Sequence, residues 1–154
     1  MKIYKTGIIG CGGIAQKMAA TLEKMKGVER YAVASRNQEK AEAFANKWGF
    51  TKAYGSYEEL ASDPEVDLIY IATPHAMHYD NAHMCIEKGK PVLCEKAFTA
   101  NARQAEDLLA FAKEKGVFIT EAIWTRYMPL SLKIQELLKE GVIGTPYTLS
   151  LIHI

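Results

Sequence analysis

Long apolar runs are missing from these 154 residues, and so is any excess of charge of one sign. Although 49% of the residues are apolar, no stretch approaches the length that spans a bilayer. Met1-Lys2-Ile3 leads directly into the first strand and leaves no room for a signal peptide. A soluble, cytoplasmic protein with no membrane partner is expected. Lysine and arginine number 19 against 18 aspartates and glutamates, with the signs interspersed, which gives neither a basic stripe for nucleic acid nor an acidic tail. Cysteine is scarce. Cys11, Cys85 and Cys94 are odd in number and have neither CxxC spacing nor a neighbouring metal-ligand pattern, so reduced thiols and no metal site are expected. No repeat, low-complexity tract or flexible linker interrupts the chain, and its length suffices for one proper core.

What is present is a glycine loop. Gly7-Ile8-Ile9-Gly10-Cys11-Gly12-Gly13-Ile14-Ala15 is an apolar run that breaks into glycines and resumes at helical spacing. Gly10, Gly12 and Ala15 occupy the fixed places of a G-x-G-x-x-G/A dinucleotide loop. Glycine at 10 allows a sharp turn out of a strand, and glycine at 12 lets backbone N–H groups approach a pyrophosphate. Gly13 and Ile14 open the helix whose unpaired donors and positive dipole end face that anion. Met18, Ala19, Leu22 and Met25 continue as an apolar stripe that packs a helix over about 14–26 on the sheet. Cys11 sits at a variable loop position and reads as filler.

Strand and helix patterns then alternate. A strand over 28–34 precedes a helix over 38–48, and a short strand near 51–54 precedes a brief helix with Ser56 and Glu59 as a capping box. Leu68 to Ala72 reads as a buried parallel strand, followed by a helix over 78–88 and a strand over 90–94. Asn101 and Gln104 cap a helix over 102–115 with Ala105, Leu108, Leu109 and Ala112 inward, and Val117 to Thr120 makes the sixth strand. Pro129 opens a helix with Leu130, Ile134, Leu137 and Leu138 inside, and Tyr147 to Ile154 reads as one further strand. Six strands separated by helical crossovers predict an α/β fold, a doubly wound parallel sheet of the Rossmann dinucleotide-binding type.

Ligands bind such sheets outside the carboxyl ends of the strands. At the end of the second strand, where an NAD-selective loop keeps Asp or Glu for the ribose hydroxyl, this chain has Ser35-Arg36. A hydroxyl and a guanidinium suit a 2′-phosphate, and Lys40 supplies a second cation, which favours NADP over the alternative, NAD. The fourth strand exits into Thr73-Pro74-His75-Ala76-Met77-His78, in which His78 begins a helix and is a candidate for cofactor or substrate contact. His83 and His153 have no constellation and read as structural. The fifth strand delivers Glu95-Lys96, a lysine beside a carboxylate, suited to polarising a carbonyl or relaying a hydroxyl proton during hydride transfer. Trp124, Tyr127 and Arg126 read from residue type alone as packing groups with one surface charge.

Three stretches in order, Gly7 to Ala15, Ala72-Thr73-Pro74 with His78, and Gly89-Lys90-Pro91-Val92-Leu93-Cys94-Glu95-Lys96, resemble the N-terminal domain of the Gfo/Idh/MocA family of NAD(P)-dependent oxidoreductases. Glu121 to Pro129 further resembles the branch of dihydrodiol and NADP-dependent D-xylose dehydrogenases. The resemblance implies that Lys96 is the catalytic lysine and that Gly10, Gly12 and Ala15 hold the pyrophosphate. It implies that Ser35 and Arg36 hold the 2′-phosphate, and that Thr73, Pro74, His78, Glu95, Trp124 and Arg126 line the cofactor. It also implies a sugar, polyol or vicinal diol substrate and a homo-oligomer.

Two departures from the family pattern carry expectations of their own. The family has Glu-Lys-Pro, commonly with a cis peptide, where this chain has Ala97. A cis bond before alanine costs about 2.5–4 kcal/mol, so a trans peptide and a somewhat different approach for Lys96 are expected. Family members also continue into a second domain with the substrate pocket and a catalytic histidine. Residues 1–144 are therefore expected to be the dinucleotide domain and 145–154 the first strand of a truncated second one, giving cofactor binding with little or no turnover. A non-catalytic nucleotide-binding or sensing module is the alternative. An S-adenosylmethionine methyltransferase shares the glycine loop but normally wants an acidic residue where Ser35-Arg36 stands.

Overall fold

A computed structural model of the protein describes residues 2–149. Two compact units divide the chain after Ala122, whereas the sequence placed a domain boundary after residue 144.

The N-terminal unit is built on β1 (Tyr4–Ile9), β2 (Val28–Ala34), β3 (Lys52–Tyr54), β4 (Leu68–Ile71), β5 (Val92–Cys94) and β6 (Ile119–Glu121). All pairings are parallel and the order is β3-β2-β1-β4-β5-β6. Side chains alternate across each strand, so Ile8, Val33 and Tyr70 enter one core layer while Ile9, Ala32, Ala34, Ile69 and Ile71 enter the other. The first layer lies under α1 (Gly13–Leu22) and α2 (Gln38–Trp48). The second lies under α3 (Tyr57–Ser62), α4 (His78–Glu87) and α5 (Ala102–Lys115). The strand order reverses between β1 and β4, where Thr6 to Ile9 face Leu68 to Ile71 in register. That reversal opens a crevice at the carboxyl edge.

Caps fix the helix starts. Asn37, Ser56 and Asn101 accept from the N–H groups of Lys40, Glu59 and Gln104, at 2.8, 3.2 and 3.0 Å. Near the amino ends of the strands a polar network joins β1, β2, β3 and the turn before β4. The buried Asp63 carboxylate accepts from Lys52 Nζ (2.9 Å), Tyr54 Oη (2.6 Å) and the Glu65 N–H (2.9 Å), and Lys90 Nζ donates to the carbonyls of Asp63 and Val66. Burial alone would raise the Asp63 pKa, but these donors outweigh it and hold the carboxyl at about 2.

Several packing expectations are corrected. Helix α1 stops at Leu22, not near 26, because Lys24 and Met25 bond back to Thr21 and Leu22 in tight turns that bring the Gly27 carbonyl to the Tyr4 N–H. Met25 therefore leaves the apolar stripe and is 48% exposed. Leu109, one residue past the buried Leu108, falls off the inward face and is 51% exposed.

The C-terminal unit holds a 3-10 turn at Trp124–Tyr127 and α6 (Pro129–Lys139), with Pro129 in its first turn. Leu130, Ile134, Leu137 and Leu138 were expected inside. They are exposed, because an amphipathic stripe buries itself only against a partner surface and no described element of this unit covers it. Residues 147–149 form no strand, and the rest of the strand expected to Ile154 lies outside the described residues. Among the described residues no helix is long and apolar enough to cross a membrane.

Candidate functional site

Strand β1 ends with Ile9, and the loop that follows is pinned from both sides. Gly10 donates to the Ala34 carbonyl at 2.9 Å, and Ala72 donates to the Ile9 carbonyl at 2.8 Å. Gly10 has φ +99°, and a Cβ there would lie 2.8 Å from the Ala72 carbonyl oxygen, so both the turn and the close approach need glycine. A Cβ on Gly12 or Gly13 would meet nothing within 4 Å. The protein leaves that space open. Helix α1 begins there with Gly12 as N-cap, no side-chain cap and no acidic residue in its first turn. The amides of Gly13, Ile14 and Ala15 thus face an open cradle at the positive end of the helix, a fit for a diphosphate. Ala15, fully buried, seats the helix on the sheet.

At the β2 exit, Ser35 is nearly buried, its N–H bonded to the Tyr54 carbonyl and its Oγ accepting from the Asn37 N–H at 3.4 Å. Arg36 and Lys40 are exposed on the loop and the first turn of α2. Two neighbours locate them. Burial pushes the Tyr57 hydroxyl up while the Arg36 guanidinium beside it pulls part of that back. Burial also pushes the Cys11 thiol up, opposed by the Lys40 charge. Cys11, Ser35, Arg36, Lys40 and Tyr57 therefore cluster beside the glycine loop. Tyr57 carried no sequence signal, because its tie to Arg36 crosses from one connection to another.

The β4 and β5 exits lie next to one another. Thr73 is buried, its Oγ1 accepting from Asn81 Nδ2 at 3.0 Å, while Pro74 is exposed. His78 is fully buried, with Nδ1 2.8 Å from the Ala97 carbonyl and Nε2 2.9 Å from the Thr73 carbonyl. The ring has no polar atom left for a ligand. Glu95 and Lys96 do not form the side-chain pair the sequence suggested. The Glu95 carboxylate turns inward, accepting from the Tyr70 hydroxyl and, at 3.2 Å, from the Lys96 N–H. Lys96 is exposed, and among the described residues no carboxylate pairs with its ammonium group.

The Lys96–Ala97 peptide is cis, which corrects the expected trans bond. The local preference for trans yields to tertiary hydrogen bonds that hold the next peptide, His78 at the Ala97 carbonyl and the Phe98 N–H donating to Glu121 Oε1 at 2.8 Å.

Tyr70 was missed, although a lone phenol in an otherwise aliphatic strand is a signal, since a buried hydroxyl needs a partner. Burial and the Glu95 carboxylate both push its pKa up, so it stays a donor. Tyr70→Phe is expected to cost about 1–3 kcal/mol in urea unfolding, because a carboxylate oxygen loses its buried donor. Trp124 and Arg126 lie in the 3-10 turn of the C-terminal unit, with Trp124 65% exposed.

The family model for the GFO_IDH_MocA oxidoreductases, an NAD-binding Rossmann fold, matches residues 4–122. The D-xylose 1-dehydrogenase (NADP(+)) of Hypocrea jecorina is 46% identical over 93% of this chain and 40% of its own length. The trans-1,2-dihydrobenzene-1,2-diol dehydrogenase of Mus musculus is 44% identical over 90% and 42%. Among solved structures, KijD10, a 3-ketoreductase from Actinomadura kijaniata in complex with TDP-benzene and NADP, superposes with a TM-score of 0.85 at 32% identity, covering 92% of this chain and 45% of its own. The chain spans about 40% of the length of the curated relatives it matches. With a glycine loop, sheet order and match that agree over residues 4–122, the chain belongs to the GFO_IDH_MocA oxidoreductase family through its NAD-binding Rossmann domain.

Proposed function

We propose that the chain binds NADP(H) as the cofactor-binding part of an oxidoreductase acting on a sugar, polyol or vicinal diol. The observation that carries the cofactor reading is the β2 exit, where Ser35 and Arg36, with Lys40 one turn on, stand in place of a carboxylate. A carboxylate would repel a 2′-phosphate, whereas these groups neutralise it and donate to it. The amides of Gly13, Ile14 and Ala15 take the diphosphate in the space that Gly12 and Gly13 keep clear. The substrate class follows from the D-xylose and dihydrodiol dehydrogenases to which the chain is similar.

NADP, when bound, supplies the hydride acceptor. Lys96 is the chain's own candidate for the proton: an exposed lysine at the β5 exit, next to the β4 exit that leads into Thr73 and Pro74, suits holding a substrate hydroxyl and moving its proton. Glu95, with its carboxylate turned inward, supports the Lys96 backbone. A cytoplasmic location and self-association of the complete enzyme belong to the same proposal.

Fluorescence titration with NADPH and NADH tests the cofactor claim. NADPH is expected to bind at least about tenfold more tightly, a difference of about 1.4 kcal/mol. Arg36→Glu is expected to weaken NADPH by about a hundredfold and leave NADH nearly unchanged. Preference for NADH in the unaltered chain would overturn the phosphate assignment.

A further inference from the structure

We infer that Tyr57 is a specificity-determining residue, a phenol that donates to the 2′-phosphate beside Arg36 and Lys40. The inference rests on the NADP reading and adds to it a donor from a different connection of the sheet. Ser35, Arg36 and Lys40 follow β2, whereas Tyr57 follows β3.

Parallel pairing brings the two exits together. Ala34 stands opposite Tyr54 in register, and the Ser35 N–H donates to the Tyr54 carbonyl at 3.1 Å. From that shared point the chain reaches Arg36 along one connection and Tyr57 along the other. Ser56 fixes where the ring begins, because its Oγ accepts from the Glu59 N–H and caps α3, of which Tyr57 is the first residue. The half-buried ring packs against the second core layer, in which Leu60 and Ala61 of the same helix are buried. The body of the side chain is therefore held, and its hydroxyl end is left to find a partner.

The sheltered phenols of this chain share one kind of partner, and Tyr57 is the exception. Tyr31, Tyr54, Tyr70 and Tyr79, all buried or half-buried, donate to the carboxylates of Glu65, Asp63, Glu95 and Asp107. Tyr57 is half-buried like Tyr54 and Tyr79, yet among the described residues its hydroxyl donates to no carboxylate. The charged side chain beside it is the Arg36 guanidinium, which has donors and no acceptor. Burial keeps the phenol protonated, so it too is a donor. Donors from two connections thus converge, and an anion between them satisfies both. A 2′-phosphate is such an anion, whereas the 2′-hydroxyl of NADH is a neutral and weaker acceptor.

Tyr57→Phe keeps the ring and removes the donor. In fluorescence titrations of the intact chain it is expected to weaken NADPH about tenfold and to leave NADH within about twofold. Equal weakening of both nucleotides, or of neither, would overturn the inference, since a phenol that only packs cannot tell them apart. Arg36→Gln separates direct donation from action through the guanidinium. In that background Tyr57→Phe is expected still to weaken NADPH at least about threefold, and no further loss there would sink direct donation. Should the variants fail to fold, ζ-carbon-13 tyrosine NMR of the unaltered chain decides the matter. A phenol signal that moves with adenosine 2′-monophosphate but not with adenosine 5′-monophosphate supports the inference, and no such signal refutes it. An unaltered chain with no preference for NADPH over NADH removes the NADP reading and this inference with it. A preference that survives Tyr57→Phe removes the inference alone.

Discussion

Gly10→Ala is expected to abolish NADP(H) binding and to cost about 3 kcal/mol of folding stability, combining a strained positive φ with overpacking. The obstruction is backbone, the Ala72 carbonyl at 2.8 Å from the added methyl, and it cannot swing aside as a side chain would. Relief requires moving either the β1 exit or the β4 exit, and both are pinned by the bonds from Gly10 to Ala34 and from Ala72 to Ile9. Gly12→Ala is the companion. Gly12 has φ −81°, and the methyl would enter open space, so stability should stay within about 0.5 kcal/mol of the parent. Binding should still fall, because that space is where a diphosphate would lie. Urea unfolding and NADPH titration of the two variants separate the effects. Equal stability loss in both would show that the loop is merely tightly packed.

Asp63→Ala should be the most damaging change away from the crevice, at about 3 kcal/mol, because it strips the acceptor from Lys52, Tyr54 and the Glu65 N–H together. The same carboxylate sets an acid limit on the fold. Its folded pKa of about 2 lies below the ordinary 3.8, so its contribution is fully present above about pH 4. As pH falls, the unfolded chain takes up the proton first, and roughly 2 kcal/mol is lost by about pH 2. Glu65 and Asp67, also held below the usual range by Lys5 and Lys2, shift stability in the same direction. Subtracting the acid profile of Asp63→Asn from that of the parent isolates the Asp63 share. An identical slope in both would refute its assignment.

The fold was legible because its signals are local. Glycines break an apolar run at one place, the hydrophobic period switches between strands and helices, and Asn37, Ser56 and Asn101 mark helix starts within one turn. The candidate residues of the crevice were legible for the same reason, since strand ends follow from strand positions. What escaped depends on partners distant in sequence. Tyr70 and Glu95 are 25 residues apart and meet because β4 lies beside β5 in register. The cis peptide at Lys96–Ala97 contradicts a local energy and is accompanied by bonds from two other segments. The inward stripe of α6 could be read from spacing, but spacing does not say whether a surface is there to receive it.

Strand β1 reaches β4 across a long separation, 62 residues between Lys5 and the Asp67 that caps its N–H, and the junction between these two strands is the seam along which three strands on either side are joined. The glycine loop straddles that seam, bonded to the β2 side through Ala34 and pressed against the β4 side at Ala72. A dinucleotide seated in the loop would act as a clasp across the seam. Local opening of either half would then have to release the ligand, so the two halves would exchange their amide hydrogens as one cooperative unit when it is bound and more independently when it is not.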